Sequence, residues 1–121
     1  MIYGIGTDIV DINRIKGLQN LDEFCKKLLS ENELEIFKNL NQNEKIYYVA
    51  KQFAGKESIA KALGSGFDYG LTPCKLEINR DKNGKPIVEI DLLPKHFQFK
   101  NIHISLSDEE NYVIAFAVIE I

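Results

Sequence analysis

Cysteine is scarce in this sequence: Cys25 and Cys74 are the two present among 121 residues. Their separation matches no metal-ligand spacing, which argues against a cysteine-built metal centre. A disulfide between them is conceivable but not implied, and both read as free thiols in a reducing cytosol. Long apolar runs are missing too. The longest, from Val113 to Ile119, is far too short to span a bilayer. The N-terminus lacks a basic segment followed by an apolar core, so no signal peptide is expected, and the chain is assigned to the cytoplasm. Nor is there an excess of positive charge. Fifteen Lys and Arg stand against 18 Asp and Glu, a net charge of −3, which removes support for a global nucleic-acid-binding surface and leaves room for a local basic patch. With no repeats, low-complexity tracts or linker, residues 1–121 read as one domain. The composition, 45% hydrophobic and 27% charged, is that of an ordinary globular protein. Its core is adequate but not large, so oligomerisation would help it.

The pattern along the chain predicts an α+β fold. Ile2 to Ile9 reads as a strand carrying glycines at positions 4 and 6, where glycine often marks close backbone approach. Asp11 can cap a short helix through Arg14 to Gly17, and Leu21, Phe24, Leu28 and Leu29 have helical spacing. Ser30 with Glu33, and Asn41 with Glu44, are capping signatures. The second opens a long helix with Ile46, Val49, Ala50, Phe53, Ala54, Ala60 and Leu63 on its apolar stripe and Gly64 as its stop. The period then changes. Lys75 to Arg80 and Ile87 to Ile90 predict a hairpin around Asp81-Lys82-Asn83-Gly84. Pro94 can start a helical turn through Phe97. Ile102 to Ser107 and Tyr112 to Ile119 predict a second hairpin with an acidic tip. The last strand is apolar on both faces, which predicts burial on both sides, as a central strand or a subunit interface. The expected architecture is a helical segment, with one long helix, packed on a mostly antiparallel sheet.

Two acids sit where structure alone rarely asks for them. Asp8 follows an apolar stretch in GIGTDIV, and Glu57 falls on the apolar stripe in FAGKESIAKALG. Buried carboxylates need compensating positive charge. Two carboxylates with open positions suit Mg²⁺ shared with a phosphate substrate. Simpler readings stand beside this one. Asp8 can be a turn or capping aspartate, and Glu57 can form an i,i+4 ion pair with Lys61. Gly64-Ser65-Gly66 can cradle phosphate oxygens through backbone N–H groups or merely end the helix. Asn83-Gly84 alone is a tight turn.

GIGTDIVDINRI, FAGKESIAKALGSG, NGKP and ISLS occur in that order before an apolar final strand. Together they resemble the holo-[acyl-carrier-protein] synthases, the short bacterial 4′-phosphopantetheinyl transferases, over nearly the whole chain. The resemblance implies that fold and a transfer of phosphopantetheine from coenzyme A to a serine of apo acyl carrier protein. That reaction releases 3′,5′-ADP, depends on Mg²⁺ and serves fatty-acid synthesis. It implies Asp8 and Glu57 as metal-binding acids, with Glu57 also helping to remove the serine proton, and Lys61 near the coenzyme A phosphates. Lys56, Gly64, Ser65 and Gly66 are implied as phosphate and pantetheine contacts, and Lys85 and Pro86 as neighbours of the coenzyme A site. Arg14 is implied to meet the acidic helix of the carrier protein, and Lys16, Lys26 and Lys27 could extend that patch. A homotrimer with sites between subunits is implied as well.

The chain departs from this family in two places. Asp108 stands where many members have histidine, and Gln52 where an arginine is frequent, with Lys51 and Lys45 as the cations available to compensate. His103, inside a strand, does not obviously substitute, and His96 reads as surface. Two competing readings therefore accompany the transferase: a non-catalytic coenzyme A or nucleotide-binding protein on the same fold, and a small structural subunit assembled through its last strand.

Overall fold

The longest element begins at the capping pattern. Asn41 accepts from the Glu44 amide at 2.8 Å and the Glu44 carboxylate accepts from the Asn41 amide at 3.1 Å, so donors left open by the helix start are satisfied. From there α4 of the computed structural model, which describes residues 1–68 and 70–121, runs Gln42–Leu63. It ends at Gly64, whose φ of 80° is left-handed. Ser30 and Glu33 form the same reciprocal pair at the head of α3 (Glu31–Lys38). Asp11 caps α1 (Ile12–Lys16), and Asn20 caps α2 (Leu21–Leu28).

Strand β1 (Ile2–Asp11) pairs antiparallel with β5 (Tyr112–Glu120), and β5 pairs antiparallel with β4 (Asn101–Asp108), giving the order β1-β5-β4. A separate hairpin, β2 (Ile78–Arg80) with β3 (Pro86–Val88), lies beside β4. Both hairpin strands are shorter than expected. Residues Pro73–Lys75 form a 3-10 turn instead, because Pro73 sets a helical φ and donates no N–H to a ladder. Pro94 starts a single turn, closed by the Phe97 amide on the Pro94 carbonyl at 2.9 Å.

Helix α4 lies on the inner face of the sheet, and the glycines of β1 decide how closely. A Cβ on Gly4 would stand 1.9 Å from the Ala62 carbonyl oxygen, and one on Gly6 1.9 Å from that of Ser58. The glycines therefore mark a backbone contact, as expected of glycine inside a strand. Two apolar clusters flank this contact. One joins α1–α3 to the first half of α4 around Ile12, Ile15, Leu29 and Val49. The other joins its second half to the β2–β3 hairpin and β4 around Ile59, Leu76, Ile78 and Ile104.

The last strand is central, but burial on both sides does not hold within one chain. Val113, Ala115, Ala117 and Ile119 are buried under α4, whereas Tyr112, Ile114 and Phe116 are nearly half exposed on the opposite face. They are joined there by Tyr3, Ile5 and Ile9 of β1. The reason is topological: the helical layer covers one face of the sheet only.

The two kinds of glycine separate in stability. Gly6→Ala forces backbone apart and is expected to cost about 3 kcal/mol in urea unfolding. Gly64→Ala, with no atom within 4 Å of its Cβ, is expected to cost about 1 kcal/mol from its positive φ alone. Equal losses would contradict the close approach.

Candidate functional site

Because side chains alternate along β1, the residue two beyond Gly6 points the same way, toward α4. That residue is Asp8. Lys61 of α4 reaches it, with Nζ donating to Asp8 Oδ1 at 3.0 Å and to the Thr7 carbonyl at 2.9 Å. Glu57 lies one turn back on the same helix face and is half-buried. Its carboxyl is held above the usual glutamate range, first by burial and then by the negative charge of Asp8, while Lys61 and Arg14 pull it down. Lys61 thus bonds Asp8 rather than forming the i,i+4 pair with Glu57. Asp8 makes ionisation of Glu57 more costly, and the two carboxylates, with a lysine at their edge, make a site that favours added positive charge.

Beside these groups is an open cleft of about 470 Å³ lined by Glu57, Ala60, Lys61, Gly64, Gly66 and Phe67. Gly64 and Gly66 both have positive φ. Ser65 faces a second cavity, of about 550 Å³, shared with Tyr3, His96, Phe97 and Phe99. Among the described residues no group of three His, Cys, Asp or Glu side chains converges. A cation at Asp8 and Glu57 would therefore complete its shell with water and substrate oxygens. That fits a hard ion that keeps its waters, such as Mg²⁺.

Lys56 requires correction as a phosphate contact. Its ammonium is wholly buried and donates to Glu33 Oε1 at 2.6 Å, the Leu28 carbonyl at 2.6 Å and the Pro73 carbonyl at 2.9 Å. All three donors are committed inside the protein, so none remains for a ligand. Burial lowers its pKa and Glu33 opposes that shift. Glu33 also accepts from Gln52 Nε2 and, at 3.1 Å, from the Ile78 amide. Gln52 is consequently a core residue, fully buried. Neither lysine proposed to compensate for it is free to do so in this arrangement. Lys51 pairs with Asp108 at 3.6 Å, and Lys45 lies 5.1 Å over the Phe37 ring, among α2 and α3. Asp108 closes β4 rather than sitting in the turn.

The remaining candidates fall in two places. The Arg14 guanidinium stacks 5.0 Å from the Phe53 ring centroid, on the flank of Glu57, while Lys26 and Lys27 are exposed on α2, Lys26 near Glu23 at 3.5 Å. Lys85 and Pro86 line a groove between β3 and β4, at the edge of the sheet away from β1. One chain does not bring them to Asp8. His103 pairs with Glu120 at 2.6 Å on the outer face, and His96 is exposed, so neither approaches Glu57. Glu33 was legible only as a capping residue. Its buried partners, Gln52 and Lys56 on α4 and the Ile78 amide at the head of β2, come from two distant segments, and no local pattern marks them.

The buried pair is testable without any ligand. Lys56→Met leaves Glu33 charged and unpaired and is expected to cost about 3–5 kcal/mol in urea unfolding. The double variant Glu33→Leu with Lys56→Met should lose less than the sum of the single variants. Strict additivity would deny the coupling.

A model of the 4′-phosphopantetheinyl transferase superfamily matches residues 4–117. A holo-[acyl-carrier-protein] synthase of Blochmanniella pennsylvanica is 40% identical, with 99% of each chain covered. One of Orientia tsutsugamushi is 44% identical, over 98% of this chain and 97% of that one. Among solved structures, the holo-(acyl-carrier-protein) synthase of Bacillus anthracis in complex with CoA (3′,5′-ADP) superposes with a TM-score of 0.87 at 34% identity, covering 99% of this chain and 97% of that one. That of Neisseria meningitidis does so with a TM-score of 0.86 at 34% identity over the full length of both.

Proposed function

The chain belongs to the 4′-phosphopantetheinyl transferase superfamily and within it to the holo-[acyl-carrier-protein] synthases, and from that premise we propose that it moves 4′-phosphopantetheine from coenzyme A to a serine of apo acyl carrier protein in cytoplasmic fatty-acid synthesis. The observation that carries this reading is the Asp8–Lys61 contact beside half-buried Glu57, at the mouth of a cleft floored by a glycine loop.

Asp8 and Glu57 would hold Mg²⁺, which supplies Lewis-acid polarisation and charge neutralisation on the pyrophosphate when bound. Lys61 places its ammonium against the same oxygens, and backbone N–H groups of Gly64, Ser65 and Gly66 orient the phosphate and the pantetheine arm. The serine Oγ forms its bond to the β-phosphorus of coenzyme A. The bond from that phosphorus to the bridging oxygen breaks, and 3′,5′-ADP leaves with the oxygen. Glu57 accepts the serine proton, its carboxyl facing the cleft in which the serine would lie. Positioning and charge neutralisation are the main demands of phosphoryl transfer. Arg14, Lys26 and Lys27 lie on the helical face that would meet an acidic helix of the carrier, chiefly raising the encounter rate.

The active assembly is proposed to be a homotrimer. The outer sheet face exposes Tyr3, Ile5, Ile9, Tyr112, Ile114 and Phe116 together, an apolar grouping of the kind that marks an interaction surface. The cleft lies at the β1 edge, and Lys85 and Pro86 at the other. Two different surfaces meeting head to tail close into a ring. Each site would then take its acids from one copy and its hairpin from the next.

Two experiments test this. The intact mass of apo acyl carrier protein, after incubation with the protein, coenzyme A and Mg²⁺, should rise by one phosphopantetheine and stay unchanged with EDTA. Asp8→Ala or Glu57→Ala should lower the rate by at least about 100-fold, and full activity in either at limiting Mg²⁺ would remove the metal assignment. No mass gain with coenzyme A binding intact would favour the non-catalytic reading. For the assembly, Phe116→Asp should shift sedimentation from trimer toward monomer and abolish transfer. A monomeric wild-type protein would refute the ring.

A further inference from the structure

A cavity of about 420 Å³ opens between α2, α3 and the first turns of α4, and its walls come from these three helices and from no strand. That volume is within the range of small-molecule sites, about 300–1,000 Å³. The floor is apolar. Cys25 and Phe37 are buried in the core of the helical half, and Leu34 packs against them. Each helix adds one lysine to the wall, Lys26 from α2, Lys38 from α3 and Lys45 from α4, and Asp22 is the one acid that lines it. Lys26 and Lys38 have i,i+3 partners, Glu23 at 3.5 Å and Glu35 at 3.4 Å, but both pairs are exposed and solvent weakens them.

Lys45 is different. It is half-buried, and among the described residues no carboxylate lies within ion-pair distance of its ammonium. It faces the Phe37 ring instead, 5.1 Å from the centroid. The Cys25 thiol reports the local field: burial first pushes its pKa up to about 12, Asp22 adds to the rise and Lys45 opposes it. The thiol is therefore neutral and acts as part of the apolar floor. Asp22 is exposed, so water screens its charge more than that of half-buried Lys45. A partly desolvated cation thus stands over an apolar floor with no anion to answer it. The lining offers a single uncommitted point charge and no planar guanidinium fork. Those features match one carboxylate on an apolar body better than a phosphate.

We propose that this cavity binds a small amphipathic monocarboxylate, with its head on Lys45 and its apolar body on Cys25, Leu34 and Phe37. Lys26 and Lys38 at the rim add positive charge where the ligand enters. The site is separate from the cleft at Glu57. Lys45 and Glu57 are 12 positions apart on α4, about 18 Å along a helix axis. The two cavities share no lining residue. The assignment does not depend on the transferase reading, because none of the residues that carry it belongs to the proposed chemistry of Asp8, Glu57 and Lys61.

The test is calorimetry with octanoate as the probe and octylammonium, the same chain with the opposite charge, as its control. The intact protein should bind octanoate with a Kd of about 1 mM or below and octylammonium at least about tenfold more weakly. Saturating coenzyme A with Mg²⁺ should leave the octanoate affinity within about twofold. Lys45→Met keeps the apolar stem and removes the charge, and should weaken octanoate at least about tenfold. Lys45→Arg should restore part of the affinity. No octanoate binding up to about 10 mM overturns the assignment, as does equal binding of the two probes. Neither comparison needs a variant to fold. Displacement of octanoate by coenzyme A would place the probe in the cleft and overturn it too, and so would an unchanged affinity in Lys45→Met.

Discussion

The close contact of α4 with β1 is the constraint from which the rest of the arrangement follows. Carbonyl oxygens of Ser58 and Ala62 occupy the space where side chains on Gly6 and Gly4 would be. Only that proximity lets Lys61, on an exposed helix turn, reach both the Thr7 carbonyl and the Asp8 carboxylate. It also brings Glu57 near enough to Asp8 for the Asp8 charge to raise the cost of ionising Glu57. Larger residues at positions 4 and 6 would move the helix outward and separate the three groups. The site is therefore made by backbone packing before any side chain acts.

A second layer of order stands behind the helix. Lys56 and Glu33, adjacent in space but far apart in sequence, tie α4 to the end of α2, the head of α3, the 3-10 turn after the glycine loop and the start of β2. Such buried pairs contribute little net stability compared with a well-packed apolar replacement. What this one supplies is definition. It adds directed bonds between segments that apolar packing brings together, and through Gln52 the same pair sets the direction of Arg80. Neighbouring residues of one helix thus do different work: Lys56 faces inward and organises, while Glu57 faces the cleft.

Much of this was legible from local pattern. The capping boxes at Ser30 and Asn41 and the stop at Gly64 form as their residue types require, because capping depends on atoms within one turn. The two hairpins are where alternation and turn residues place them. Asp8, Glu57 and Lys61 were identifiable as candidates, since carboxylates on apolar patterns are conspicuous. Lys56 was misread, because a lysine beside Glu57 looks available to phosphate until its burial is known. Glu33 and Arg80 went unrecognised for the same reason from the other side: their partners are long-range.

The sequence by itself determined the elements, their boundaries to within a few residues, the α+β class and the family, because these depend on periodicity, caps and contiguous motifs. Tertiary structure decided which charges are answered and which are left open. Position 56 is committed to the interior and position 61 to the cleft, although both are simply lysines in the chain. It also decided that the apolar last strand hides one face and exposes the other, and that Lys85 lies across the sheet from Asp8. The physical reason is that burial and charge pairing are properties of what surrounds a side chain. Those surroundings are assembled from segments dozens of residues apart.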